Sequence, residues 1–183
     1  MIDPVRARRI KLLGLDVDGV LTDNALFIGV VDGKRVEFKR FDVQDGLGFV
    51  LLRGTGIEVC WVSGRVSEST ALRAEELKVT DLVQDRGANK LVPVQGILER
   101  RGLAWDQLAW MGDDIADVPV LRKAGLALAP ANALPEAKAL AHHVTARAGG
   151  QGAVREAIVE LLTARGEYDA ALKRYLEERG DTL

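Results

Sequence analysis

Apolar residues fall along this chain in two alternating patterns. Short runs without internal alternation occupy residues 10–17, 57–62, 107–111 and 126–129, with briefer ones at 81–83 and 143–145. Such runs, bounded by glycine, proline or acidic residues, predict strands buried on both faces. Between them lie stretches with helical spacing: residues 46–53, 67–77, 90–101, 118–123 and 153–162, then a weaker stripe of Tyr168, Leu172, Tyr175 and Leu176. Asp42 or Asp45 offers the first of these helices a cap and Ser67 the second, while Pro93 makes the third start near Lys90. Strands alternating with helices predict a single α/β domain over residues 1–183, built on a parallel sheet with helices on both faces.

One segment breaks that rhythm. Residues 25–31 and 35–41 flank Asp32-Gly33, a strong signal for a two-residue hairpin turn. In the second arm Val36, Phe38 and Arg40 point one way and Glu37, Lys39 and Phe41 the other. The hairpin is expected to act as a lid or as an edge that pairs with another subunit.

Composition narrows the class. Hydrophobic residues at 48%, charged residues at 28% and a net charge of -2 describe an ordinary globular chain with neither a nucleic-acid footprint nor a polybasic membrane patch. The opening MIDPVRARRIK has no apolar signal core, and no apolar run is long enough to span a bilayer. Cys60 is the single cysteine, so no intramolecular disulfide can form and a cytoplasmic setting is expected.

The candidate chemistry sits where strands end. Asp16 and Asp18 arrive at the end of the first run, with Gly19 allowing a turn, and carboxylates at i and i+2 leave the same side of an extended strand. Two like charges so close need a cation or a shared proton. The pair is either a solvated Asp-Gly turn or a metal-bound nucleophile with an acid/base beside it. Ser63-Gly64-Arg65 follows the second run and Gly112-Asp113-Asp114 the fourth. In a parallel sheet all of these converge on the carboxyl rim, where ligands bind. Phosphoryl transfer needs an in-line nucleophile and neutralised equatorial oxygens. Asp16, Asp113 and Asp117 can supply carboxylates to Mg²⁺, Ser63 or the following backbone N–H groups can bond a phosphoryl oxygen, and Lys90 can add positive charge. Asp18 is then free to protonate a leaving alkoxide, a group that a phospho-accepting signalling domain does not need.

Taken together, DVDGVLTD, WVSGR, Lys90 and GDDIAD resemble the four motifs of the haloacid-dehalogenase-like hydrolases. The resemblance implies a Rossmann-like, doubly wound core and an aspartyl-phosphate intermediate. It makes Asp16 nucleophile and Mg²⁺ ligand, and Asp18 acid/base with its backbone carbonyl on the metal. Ser63 and Lys90 become phosphoryl-binding residues, Asp113 a metal ligand, and Asp117 a support for the metal or for Lys90, with Asp114 a lesser member of that run. A narrower resemblance covers roughly residues 9–162. The absence of a large cap insertion, the hairpin, FDVQDGLG and GGQGAVRE are similar to the 3-deoxy-D-manno-octulosonate 8-phosphate phosphatase family. That likeness implies a phosphorylated sugar-acid substrate in lipopolysaccharide precursor synthesis, and a homotetramer whose hairpins meet and whose tails, from about residue 148, close neighbouring active sites. Phosphatases of nine-carbon sugar acids share much of the pattern. Gly64, Arg65, Arg73 and Arg86 are the candidates for holding the sugar acid. Asn24 stands where many relatives carry Gly, and Asn89 where octulosonate enzymes more often carry Asp.

Overall fold

Strand β1 (Leu12–Leu15) leads into an antiparallel hairpin, β2 (Phe27–Val31) and β3 (Lys34–Phe38). The chain then lays down β4 (Glu58–Ser63), β5 (Asp81–Gln84), β6 (Leu108–Met111), β7 (Leu126–Ala129) and β8 (His143–Val144). In this computed structural model, which describes residues 1–87 and 89–181, all strands but the hairpin form one parallel sheet in the order β5-β4-β1-β6-β7-β8. Ala88 of the QDRGANK loop, Thr182 and Leu183 lie outside the described residues.

Alternation along the buried strands sorts their side chains between two layers of helix. Leu13, Leu15, Trp61, Met111 and Leu128 share a core with α2 (Val43–Leu52) and α7 (Ala153–Arg165). Leu12, Cys60, Val62, Trp110 and Ala127 pack instead with α4 (Leu91–Arg101) and α5 (Val118–Leu121). Strands buried on both faces read as continuous apolar runs for this reason. Residues 10–17 were expected as one strand. Only Leu12–Leu15 joins the ladder, because Ile10 caps a helix α1 (Pro4–Arg9) that the apolar pattern did not signal. Asp3 opens that helix by accepting from Val5 N at 3.0 Å, with Pro4 in its first turn.

Caps account for other shifts. Asp42, not Asp45, caps α2, accepting from Gln44 N at 2.7 Å, so the helix starts at Val43. Ser67 is the N-cap residue of α3 (Glu68–Glu76), but its hydroxyl makes no capping bond; its N–H is taken by Gln84 Oε1. The hairpin is shorter than expected, and its turn has Asp32 and Gly33 at φ 50° and 73°, the conformation that two-residue hairpins favour. Asn24 adopts φ 70°, a left-handed position that asparagine tolerates.

The segment from residue 148 belongs to its own body. Val154, Ile158, Leu161 and Leu162 of α7 are fully buried, and α8 (Tyr168–Glu177) packs on α2 and α7. The glycine-rich turn lies on the loop after β1: Gly150 N donates to Val20 O at 3.1 Å, and a Cβ on Gly149 would overlap the Gly19 carbonyl. Residues 148–181 thus form an integral part of their own chain's core. Among the described residues no helix is long and apolar enough to cross a membrane.

Candidate active site

Strand register brings the acidic residues together. Leu15 pairs with Trp61 on one side and Met111 on the other, so the chain segments leading to Asp16, Ser63 and Asp113 leave the sheet side by side. The strand order reverses direction at β1 and β6, which is the switch point where α/β sheets open a crevice. Asp16, Ser63, Lys90, Asp113 and Asp117 are all buried there.

Lys90 holds the cluster. Its Nζ lies 2.8 Å from Asp16 Oδ2 and 2.7 Å from Asp117 Oδ1. Asp117 also accepts from Trp110 Nε1 at 3.1 Å through Oδ1, and through Oδ2 from the backbone N–H groups of Asp113 and Asp114 at 3.2 and 3.3 Å. Four donors therefore occupy Asp117, which fixes Lys90 and the turn after β6. Burial alone would pull the Lys90 pKa down, but Asp16 and Asp117 outweigh it and hold it above the ordinary lysine value. Burial, reinforced by Asp117, pushes Asp16 well above the usual carboxylate range and raises Asp113 to about 6.

The donor set fits a hard divalent cation. Asp16, Asp113 and Asp117 offer carboxylate oxygens within 4.8 Å of one another, against the single ammonium of Lys90. Asp113 Oδ1 is buried without a hydrogen-bond partner. An orphaned oxygen in an oxygen-only, negatively charged pocket matches what Mg²⁺ requires. Asp16 and Asp113 have lone pairs to give it. Gly19, at φ 88°, permits this crowding, since any Cβ there would overlap the Asp113 carboxylate. Asp114 is exposed and spends its carboxylate on Ile115 N, outside the cluster.

Asp18 faces the hairpin. Lys39 Nζ, with its side chain fully buried, is 2.7 Å from Asp18 Oδ1, and Arg65 Nε is 3.7 Å from Asp18 Oδ2. Arg65 also pairs with Glu37 at 2.9 Å, and Ser69 Oγ donates to the Glu37 carbonyl at 2.8 Å. The hairpin thus roofs its own chain's acidic turn. Beside it opens a cleft of ≈ 700 Å³ whose lining includes Arg35, Glu37, Gly64, Arg65, Leu72 and Arg86. Ser63 Oγ accepts from Arg65 N at 3.1 Å, which leaves its proton available to an incoming oxygen.

Of the arginines singled out by sequence, Arg65 and Arg86 line this cleft and Arg73 does not. Arg73 is held by Glu76 at 2.7 Å and by the Asp42 carbonyl at 3.3 Å, bracing α3 against the start of α2. Lys39 and Arg35 were missed. The alternation that set Glu37 and Lys39 on one face was the available signal, but only hairpin closure brings that face to Asp18.

Comparison with known proteins agrees with this geometry. The pattern of the haloacid dehalogenase-like hydrolase family matches residues 62–158. The 3-deoxy-D-manno-octulosonate 8-phosphate phosphatase KdsC of Escherichia coli K12 is 40% identical over 166 residues, covering 91% of this chain and 86% of its own. The Yersinia pestis KdsC is 37% identical over 91% of this chain and 87% of its own. Among solved structures, the Moraxella catarrhalis phosphatase in complex with magnesium ion, phosphate ion and KDO superposes with a TM-score of 0.87. It is 32% identical, over 94% of this chain and 97% of that one. With strand-end acids, lysine bridge and overall likeness all in accord, the chain belongs to the haloacid dehalogenase-like hydrolase family.

Proposed function

We propose that this phosphatase is Mg²⁺-dependent and hydrolyses 3-deoxy-D-manno-octulosonate 8-phosphate, a step of lipopolysaccharide precursor synthesis, by way of a phosphoryl group carried on Asp16. The observation that carries the reading is the buried cluster of Asp16, Lys90, Asp113 and Asp117, with an orphaned carboxylate oxygen, beside an arginine-lined cleft. Likeness to KdsC over most of both chains supports the substrate, and the magnesium ion and KDO in the Moraxella structure support the metal and the sugar acid.

The residues divide the work. Asp16 attacks phosphorus, forming a bond to one carboxylate oxygen as the bond to the sugar oxygen breaks. Asp18 gives its proton to that leaving oxygen, then takes one from the water that attacks the phosphorylated Asp16, releasing phosphate and restoring the carboxylate. Lys90 and the Ser63 hydroxyl stabilise the phosphoryl oxygens, and Asp117 keeps Lys90 in place. Mg²⁺, held by the carboxylates of Asp16 and Asp113 and the Asp18 carbonyl, would add positive charge against the transferring group. Arg65, Arg86 and Arg35 give the cleft the positive charge that a sugar-acid carboxylate needs.

The hairpin supports assembly. Phe27, Val31 and Phe38 are exposed together on one of its faces, a cluster that a second copy would cover, and we infer a homotetramer joined there.

The test is phosphate release from a panel of sugar phosphates, including eight- and nine-carbon ulosonates, at varied Mg²⁺. Preference for the eight-carbon 8-phosphate is expected. Preference for a nine-carbon 9-phosphate would overturn the substrate, and turnover in EDTA the metal requirement.

A further inference from the structure

The loop after β7 touches both catalytic turns at once. Leu134 N donates to the Asp113 carbonyl at 2.8 Å. Two residues earlier, Asn132 Nδ2 donates to the Gly19 carbonyl at 3.0 Å while Asn132 Oδ1 accepts from Gly149 N at 2.6 Å. Gly19 directly follows Asp18, and its α-carbon lies against the Asp113 carboxylate with no room for a Cβ. The Gly19 peptide is thus held between Asp113, the glycine-rich turn and the Asn132 amide. From this geometry we infer that Asn132 is a positioning residue: it fixes the turn carrying Asp16 and Asp18 relative to Asp113, and so sets the spacing of the groups that bind metal and phosphoryl oxygen.

The chemistry of the side chain makes the inference specific. An amide is donor and acceptor together, and this site uses both ends. Aspartate at the same position would keep the bond from Gly149 N but set an oxygen against the Gly19 carbonyl. The contact would change from attraction to repulsion with almost no change in volume. Alanine would remove both bonds and free the turn. Supporting groups that orient ligands commonly govern metal affinity or activity by about 10–100-fold.

The inference rests on the phosphatase reading. Turnover by the wild-type enzyme tests that reading alone, and the variants are then scored against the wild type on p-nitrophenyl phosphate. In Asn132→Asp and Asn132→Ala, kcat should fall about tenfold or more. KM should change little, and the Mg²⁺ concentration for half-maximal activity should rise. Mg²⁺ binding followed by calorimetry should weaken in parallel. Unchanged kcat and Mg²⁺ affinity in either folded variant would overturn the proposal. So would a loss that disappears when the assay is run well below a lowered melting temperature, the mark of a purely structural role.

Discussion

Lys39 Nζ stands 2.7 Å from Asp18 Oδ1, so an ammonium from the hairpin rests on the carboxylate assigned to proton transfer. Its side chain is withdrawn from solvent, and Glu37 at 4.0 Å is the other acid it meets. Without Lys39, Asp18 keeps, among the described residues, the longer 3.7 Å approach of Arg65 and loses its fixed orientation. In Lys39→Met, kcat should drop about tenfold or more on an alkyl phosphate, where the leaving oxygen must be protonated. The drop should be much smaller on p-nitrophenyl phosphate, whose leaving group departs as a stable phenolate. Steady-state kinetics on both substrates check this, and equal losses would remove Lys39 from proton transfer.

Charge crowding in the cluster gives two substitutions opposite effects on stability. Asp113 sits with its pKa raised to about 6 by burial and by Asp117, so its charge is unfavourable while no cation is bound. Asp113→Asn should therefore melt no lower than the wild type in metal-free buffer. Mg²⁺ should raise the melting temperature of the wild type but not of this variant, which should also lose activity by about 100-fold or more. Lys90→Met should do the reverse, leaving Asp16 and Asp117 buried without their cation at a cost of about 3–5 kcal/mol. Thermal melts with and without Mg²⁺ decide both.

The proposed homotetramer uses the exposed side of the hairpin. In the pleat, Phe27 pairs with Phe38 and Val31 with Lys34, so Phe27, Val31 and Phe38 share the face opposite Glu37. All three are more than half exposed. Light scattering should give the wild type a mass near four times the 19.8 kDa chain. Phe27→Glu combined with Val31→Glu should give a smaller species, because like charges would meet across the contact. An unchanged mass would move the interface elsewhere.

Local patterns in the sequence reached the parts of the fold that local physics decides. An apolar run ending in an acid or a Ser-Gly turn is both a buried strand and a rim position, so Asp16, Ser63 and Asp113 were legible together. Lys90 followed from its place at a helix start. Contacts made by chain closure were not legible. Lys39 reaches Asp18 only because the hairpin folds back over its own turn, and Asn132 meets Gly19 across a sequence separation of 113 residues. The bracing contacts of Arg73 were not legible either, because a basic residue on a short helix reads the same whether it faces a cleft or braces a neighbouring helix. What the glycine-rich turn lies against was equally illegible, because glycine richness signals close approach without saying to what.

Asp45 supplies a pH dependence away from the catalytic cluster. It is buried beside the first turn of α7, where Oδ1 accepts from Arg155 N at 2.7 Å while Oδ2 is buried without a partner. Burial, with a contribution from Asp42, raises its pKa from the ordinary 3.8 to about 6. The native state therefore binds this proton more tightly than the unfolded chain does. The stabilising contribution is complete below pH 3.8, declines as pH rises through the window to about 6, and is gone above it. Asparagine keeps an oxygen for Arg155 N and carries no charge at any pH. Asp45→Asn should accordingly melt closest to the wild type near pH 4 and progressively above it towards pH 6, with the advantage constant beyond. Melting curves of the two proteins across that range measure the difference directly. A difference that stays flat with pH would mean that Asp45 ionises as easily in the folded protein as in the unfolded chain.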